Sequence, residues 1–162
     1  MVNLESLLTE NKKVFTSGCG AEFNYSWVPS IINKLYENYV KASIKLAPKI
    51  MNSQKNAKDP DFLKALIDDP SLMKKYNSDA EKIARDAIEV NSYGMKIMII
   101  ALKKNPQPFD TMLIDEDGES VLWVDEDYEN YILENMSTND QCEFIKCVCV
   151  GTAKETEDQK KN

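Results

Sequence analysis

The stretch that says most about the fold is a twenty-residue segment in which apolar and acidic runs alternate. Two short strands, Met112–Ile114 and Ser120–Val124, are expected to pair across a turn at Asp117-Gly118, because Asp-Gly between apolar runs is a strong hairpin signal. Asp125 is expected to cap a helix that follows, with acidic residues in its favourable first turn. The segment reads Asp110-Thr111-Met112-Leu113-Ile114-Asp115-Glu116-Asp117-Gly118-Glu119-Ser120-Val121-Leu122-Trp123-Val124-Asp125-Glu126-Asp127-Tyr128-Glu129.

The region before this hairpin has the periodicity of α-helices. Ser30 is expected to cap a long helix, and Pro48 is expected to kink or end it because proline lacks a backbone N–H. Residues 52–58 are polar and are predicted to be a connector. The pairs Asp59-Pro60 and Asp69-Pro70 each place a capping residue before a proline at the first helical position. They predict two short helices, over residues 61–68 and 71–76.

The longest helix is expected to begin after Ser78 or Asp79. Its apolar period continues past Gly94 to Leu102, although a glycine in a helix interior costs about 1 kcal/mol relative to alanine. A buried strand over residues 95–102 is the alternative interpretation of the same apolar run.

The two ends of the chain carry further elements. Asn3 is expected to cap a helix over residues 4–14, which the Ser-Gly-Cys-Gly run at 17–20 breaks. Residues 22–28 alternate, so Phe23, Tyr25 and Trp27 share one face of a strand or of an extended arm packed on the core. Ser137 or Thr138 is expected to open a last helix over about 140–150.

These elements predict a mainly α-helical α+β fold. We expect one globular domain over residues 1–150, with an N-terminal helix and extended aromatic segment (1–28), a helical body (30–104), and the acidic hairpin with two helices (109–150). Residues 151–162 are predicted to be a polar tail.

Charge is distributed unevenly along the chain. Residues 1–105 hold 16 basic and 12 acidic side chains, whereas residues 106–162 hold 4 and 15, so a net charge of +4 precedes a net charge of −11. An acidic end of this kind is expected to face a basic protein partner or a second copy of the chain. No apolar run approaches the ~20 residues of a membrane span, and no signal peptide is visible, so a cytoplasmic protein is predicted.

Histidine is absent, which excludes catalytic triads, Cys-His pairs and histidine metal sites. Of the 20 basic residues only Arg85 is arginine, which disfavours sequence-specific reading of nucleic acid. No cofactor motif is present. The sequence therefore predicts a protein that is not an enzyme.

Two kinds of metal site can be compared with the ligand spacing that each requires. With Gly118 at position 6 of an EF-hand loop, Leu113 and Val124 stand where the outer ligands are needed, so the loop is not an EF-hand. An improvised cation site from Asp115, Asp117 and Asp125 is a minor alternative. The cysteines lack paired zinc knuckles and are expected to be reduced small hydrophobes, with a four-thiolate site as the alternative; they are Cys19, Cys142, Cys147 and Cys149.

The order of elements over residues 110–150, an acidic hairpin followed by two helices, resembles small acidic phage assembly chaperones. Because no catalytic constellation is visible and the charge is distributed asymmetrically, we expect a protein-interaction module: an adaptor, an assembly chaperone or an inhibitor. The alternatives are an acidic decoy that mimics nucleic acid and a small enzyme based on carboxylates or cysteine. The predicted partner-binding residues are Asp115, Glu116, Asp117, Glu119, Trp123, Asp125, Glu126, Asp127 and Glu129.

Overall fold

A computed structural model of the protein describes residues 12–26, 29–109, 112–114 and 116–150. Within these residues five helices and four short strands form the mainly α-helical α+β fold that the sequence predicts. The strands form two separate antiparallel pairs. In chain order the elements are β1 (Lys12–Thr16), β2 (Glu22–Ser26), α1 (Pro29–Ala57), α2 (Pro60–Asp68), α3 (Pro70–Lys103), β3 (Met112–Ile114), β4 (Ser120–Leu122), α4 (Asp125–Asn135) and α5 (Thr138–Cys149).

The chain divides into two compact units. Unit 1 contains the described residues up to Tyr36 and from Gly94 onward, and unit 2 contains Glu37–Tyr93. The chain passes from one unit to the other within α1 and again within α3. Charge follows the same division, because unit 2 holds 10 basic and 9 acidic residues, a net of +1, and the rest of the sequence carries −8.

The first strand pair corrects the prediction for the N-terminal region. Lys12–Thr16 is a strand that pairs with Glu22–Ser26, so the predicted helix over 4–14 is wrong at its C-terminal end. Its first residues and Asn3 lie outside the described part, as does Trp27. The reason is that β1 pairs with the next strand in a hairpin. The 17–20 run forms a tight turn, in which Gly20 has a φ of 90° that favours glycine, and this turn brings β2 beside β1 as a source of backbone hydrogen-bond partners.

The core of unit 1 is largely aromatic on the side of the β1–β2 hairpin. Phe23 and Tyr25 are buried as predicted for one strand face, although Asn24 between them is buried too. Phe144 of α5 is fully buried, with its ring 5.1 Å from Phe15 and 5.4 Å from Tyr25. Aliphatic side chains from three helices are also fully buried, namely Ile97 and Leu102 of α3, Ile132 of α4 and Val148 of α5.

A side-chain amide closes the open edge of β2. The Oε1 atom of Gln107 accepts a hydrogen bond from the N–H of Asn24 at 2.9 Å, and its Nε2 donates to the carbonyl of Asn24 at 2.8 Å. The same Nε2 donates to the carbonyl of Leu102 at 2.9 Å, near the end of α3. Gln107 therefore pairs with the strand as a neighbouring strand would, and joins it to a helix terminus.

The acidic hairpin forms as the sequence predicts. Met112 pairs with Leu122 and Ile114 with Ser120, around a turn in which Gly118 has a φ of 79°. Strand β4 ends at Leu122, two residues earlier than predicted. Helix α4 begins at Asp125 with Val124 as the flanking residue, so Asp125 lies inside the first turn and is not the cap.

Ser137 caps α5, which confirms one of the two predicted start sites. Its hydroxyl accepts a hydrogen bond from the N–H of Asp140 at 3.1 Å. The Asp140 carboxylate accepts in return from the N–H of Ser137 at 3.0 Å, which completes a capping box with aspartate in the third position. The predicted polar tail, 151–162, lies outside the described residues.

Helix α1 is longer than the sequence predicts. It begins at Pro29, one residue before the predicted cap Ser30, and continues through Pro48 to Ala57. The predicted connector at 52–58 is therefore mostly helix. Proline removes one helical hydrogen bond, but Pro48 is exposed and so is Ile44, one turn earlier, so water can reach the carbonyl that loses its partner.

The two Asp-Pro signals act as predicted, but only one of the two short helices exists. Asp59 accepts from the N–H of Asp61, and Asp69 accepts from the N–H of Ser71, each at 3.0 Å. The helix that starts at Pro70 continues to Lys103, so neither Ser78 nor Asp79 is a cap. The same continuity settles residues 95–102 as helix and excludes the strand alternative.

Unit 2 buries few apolar side chains. Leu46 and Leu66 are its buried hydrophobic residues, whereas seven large hydrophobic side chains are exposed. Lys49 and Lys45 both contact the carboxylate of Asp86, whose side chain is 15% exposed. The exposed set is Ile44, Ile50, Met51, Leu63, Ile67, Met73 and Ile88.

Among the helices of the described ranges, none combines the length and the apolar character that crossing a bilayer requires.

Candidate functional site

The main candidate site is the acidic surface, which we define as Glu116, Asp117, Glu119, Glu126 and Glu129. All five side chains are exposed. They lie on the turn before β4 and on the first half of α4, so one short segment supplies all of them.

Exposed aliphatic side chains lie in the middle of this acidic segment. Val121 is 43% exposed, Leu122 is 69% exposed and Val124 is 60% exposed. The sequence interpretation assigned them to an ordinary strand and missed their exposure. Successive side chains of a strand point to opposite faces, so Val121 and Leu122 of β4 are exposed on the two faces of the β3–β4 pair. Exposed aliphatic side chains together with exposed charged ones in one segment are a composition typical of protein-binding surfaces.

Two predicted partner-binding carboxylates already have roles within the fold. Asp125 accepts a hydrogen bond from the Nζ of Lys103 at 2.7 Å, and this bond raises the pKa of Lys103. The Oδ2 atom of Asp127 accepts from the N–H of Val124 at 2.7 Å. Asp127 therefore satisfies one of the unpaired N–H groups near the start of α4. Asp115 lies outside the described residues, so the cation site that needs it has no described geometry.

Trp123, one of the predicted partner-binding residues, packs inside an aromatic cluster. Its ring stacks on Phe109 at 5.3 Å between centroids and lies edge-on to Tyr128 at 5.5 Å. Phe109 stacks in turn on Tyr131 at 4.0 Å. Trp123 is half-buried, and its Nε1 has no hydrogen-bond partner among the described residues. The cluster attaches the acidic segment to the core of unit 1, because Phe23 contacts both Phe109 and Tyr131.

The turn at 17–20 is a second place where reactive groups meet. The Sγ atom of Cys19 donates to the carbonyl of Asn135 at 3.2 Å and lies 3.2 Å from the hydroxyl of Ser17. The hydrogen bond with Ser17 lowers the pKa of the exposed Cys19 thiol. A lowered pKa favours the thiolate form, which is the form of cysteine that reacts.

The remaining cysteines do not join Cys19 in a metal site within the described ranges, where no three Cys, Asp or Glu side chains are grouped to hold an ion. Cys142 is exposed and Cys147 is half-buried. Burial raises the pKa of Cys149 to about 12, so this thiol stays protonated at neutral pH.

Asp140 connects the 17–20 turn to α5. Both of its carboxylate oxygens lie 3.2 Å from the N–H of Gly18, in addition to the bond from Ser137. The hydrogen bonds from Ser137 and then from Gly18 lower the pKa of Asp140. The ionised carboxylate is therefore the form that the folded protein prefers.

We expect Asp140→Asn to lower the melting temperature at neutral pH. Because the folded-state pKa lies below the unfolded value of about 3.9, the stabilisation is complete above that value and disappears as the pH falls through the folded-state pKa. Thermal unfolding followed by circular dichroism from neutral to acidic pH measures this difference, which should shrink in acid. Glu143→Gln, at an exposed carboxylate of the same helix, is the control. A pH-independent difference would contradict this assignment.

Unit 2 contains a groove of about 310 Å³, and sequence analysis gave no sign of it. Its lining comes from α1, α2 and α3, with apolar side chains Phe62, Leu72, Tyr76 and Ile83 and a rim that includes Lys75 and Lys82. Phe62 and Tyr76 contact each other, with ring centroids 5.9 Å apart. Lys49 and Asp79 also line the groove, but Lys49 is neutralised by Asp86. Neither Lys75 nor Lys82 is in an ion pair with another residue of the described ranges.

No protein-family model matches this chain, and neither does any curated protein or any solved structure.

Proposed function

We propose that this protein is a protein-interaction module, of the adaptor, assembly-chaperone or inhibitor class, that presents its acidic surface to a basic protein partner. The observation that carries the proposal is the exposure of Val121, Leu122 and Val124 within the acidic segment. Exposed large aliphatic side chains close to charged ones are typical of sites that another protein covers.

The aromatic cluster around Trp123 supports this role. A surface that is rigid before binding loses less conformational entropy when the partner arrives. Asp127 at the start of α4 and the ring stack of Trp123 on Phe109 both hold the segment in one conformation. Exposed carboxylates of the acidic surface such as Glu116, Glu126 and Glu129 can then attract a basic partner and set its orientation.

The aliphatic centre favours a protein interface over a decoy that mimics nucleic acid. A decoy copies the phosphate backbone, whose recognition depends on charge and weakens steeply with salt. Leu122 and Val124 have no counterpart in such a backbone. A partner that binds both parts of the surface should keep part of its affinity at high salt.

Capture experiments with charge-reversed variants test the proposal. We expect immobilised wild-type protein to capture a basic partner at about 0.05 M salt and to retain less of it at about 0.5 M, because surface charges are screened. The triple variant Glu116→Lys/Glu126→Lys/Glu129→Lys should lose the partner. Duplex DNA added as a competitor shows whether that partner is a nucleic-acid-binding protein.

The control carries the same change in net charge on unit 2. Asp68→Lys/Glu81→Lys/Glu89→Lys reverses three exposed carboxylates outside the acidic surface and should capture the same partner as the wild type. Equal loss of the partner in both variants would attribute capture to net charge alone. Equal retention in both variants, or the absence of any partner, would contradict the proposal.

A further inference from the structure

We propose that the groove of unit 2 binds the acidic hairpin segment, residues 116–124, of a second copy of this chain. The proposal rests on the proposed function, since it uses the same acidic surface and names a partner for it. The two surfaces are complementary in charge, in apolar character and in shape.

The groove and the hairpin are complementary in charge. Lys75 and Lys82 lie seven residues apart on α3, two helical turns, so both occupy the same side of the helix at a separation of about 10 Å. They line the groove together with Asp79, in a unit with a net charge of +1, whereas the rest of the chain carries −8. The hairpin carries three exposed carboxylates within a stretch of four residues, at Glu116, Asp117 and Glu119.

Apolar surface is the second complement. The groove exposes the rings of Phe62 and Tyr76 together with Leu72 and Ile83, in a unit that buries few apolar side chains of its own. The hairpin offers Leu122, which is 69% exposed. Covering both would remove apolar area from water, at about 25 cal/mol for each Å².

Shape is the third complement. A turn between two short strands is convex, and the groove is concave. A contact between two different surfaces of identical chains is a heterologous contact, and it leaves one hairpin and one groove unoccupied on a dimer. The association should therefore continue beyond the dimer as the protein concentration rises. A groove this small buries less than a standard interface, so we expect weak binding, with a Kd of about 10 μM to 1 mM.

Sedimentation velocity of the full chain over a range of concentrations tests the proposal. We expect the wild type to associate at low salt, and we expect Lys75→Glu/Lys82→Glu, the groove variant, to weaken association at least about tenfold. Leu122→Asp, the hairpin variant, should have the same effect. Lys64→Glu/Lys74→Glu reverses two exposed lysines of unit 2 outside the groove and should associate like the wild type.

Mixing the two defective variants gives the decisive measurement. The groove variant keeps an intact hairpin and the hairpin variant keeps an intact groove, so an equimolar mixture should form a 1:1 dimer that does not grow further. Circular dichroism checks that each variant is folded. A mixture that stays monomeric would overturn the proposal, and so would a wild type that is monomeric at every concentration.

The sedimentation and capture experiments together distinguish self-association from the binding of a different protein. If the wild type is monomeric but loses a captured basic protein on reversal of Glu116, Glu126 and Glu129, self-association is wrong and the interaction module stands. If self-association depends on Leu122 and Lys75 but no other protein is captured, the second copy is the partner. If association survives both defective variants unchanged, another surface causes it and the groove assignment is wrong.

Discussion

Replacing Phe144 by alanine is expected to destabilise the protein by about 3–5 kcal/mol, the usual cost of deleting a buried phenylalanine ring. Phe144 is fully buried, and its ring lies 5.1 Å from Phe15 and 5.4 Å from Tyr25. The substitution leaves a cavity between α5 and the β1–β2 hairpin. A loss of this size is a large fraction of the 5–15 kcal/mol typical of folded proteins, so the variant should be partly unfolded at physiological temperature.

Urea denaturation followed by circular dichroism measures this change in the free energy of unfolding. Leu133→Ala is the matched control, because Leu133 is 56% exposed on α4 and its truncation should change stability by less than about 0.5 kcal/mol. If Phe144→Ala and Leu133→Ala had equal stabilities, the aromatic core described for unit 1 would be wrong.

The second large effect is expected at Gln107, where methionine preserves volume and removes four hydrogen bonds. Gln107→Met should destabilise the protein by about 1–3 kcal/mol, because it leaves the N–H of Asn24 and the carbonyls of Asn24 and Leu102 without this partner in a partly buried place. Thermal or urea unfolding measures the loss of stability.

Amide hydrogen exchange adds a local measurement for the same variant. The N–H of Asn24 should exchange faster in Gln107→Met, since its acceptor is gone. Gln54→Met, at an exposed position of α1, is the control and should change neither stability nor exchange at Asn24. Unchanged protection of Asn24 in the Gln107 variant would show that another group closes the edge of β2.

Several predictions that depend on residues two or three positions apart were confirmed. Asp59 and Asp69 cap helices that begin with proline, and Ser137 caps α5, because each cap joins atoms within one turn of the chain. The turn at Gly118 also follows from local chemistry, since its positive φ suits glycine. The acidic surface could be named for the same reason, because its carboxylates are nearly consecutive.

The predicted helix ends were wrong where a local capping signal lies within a longer helical pattern of apolar residues. Ser78 and Asp79 are good caps in isolation, yet α3 continues through them because Leu72, Tyr76 and Ile83 line one groove across the predicted break. Serine and aspartate cost only about 0.5 kcal/mol each in a helix interior. That cost is smaller than the loss of packing and hydrogen bonds that a break would cause.

The sequence by itself determined the fold class, the caps at Asp59, Asp69 and Ser137, the acidic turn and the separation of charge, because each depends on composition or on neighbours along the chain. Tertiary structure alone decided that Lys12–Thr16 is a strand, that Trp123 packs on Phe109, and that Gln107 pairs with Asn24. These contacts join residues up to 83 positions apart, so their energy depends on the folded arrangement. For the hairpin segment 116–124, the fold added the exposure of Val121, Leu122 and Val124 and the stacking of Trp123 on Phe109, and both support the proposed role in binding a partner.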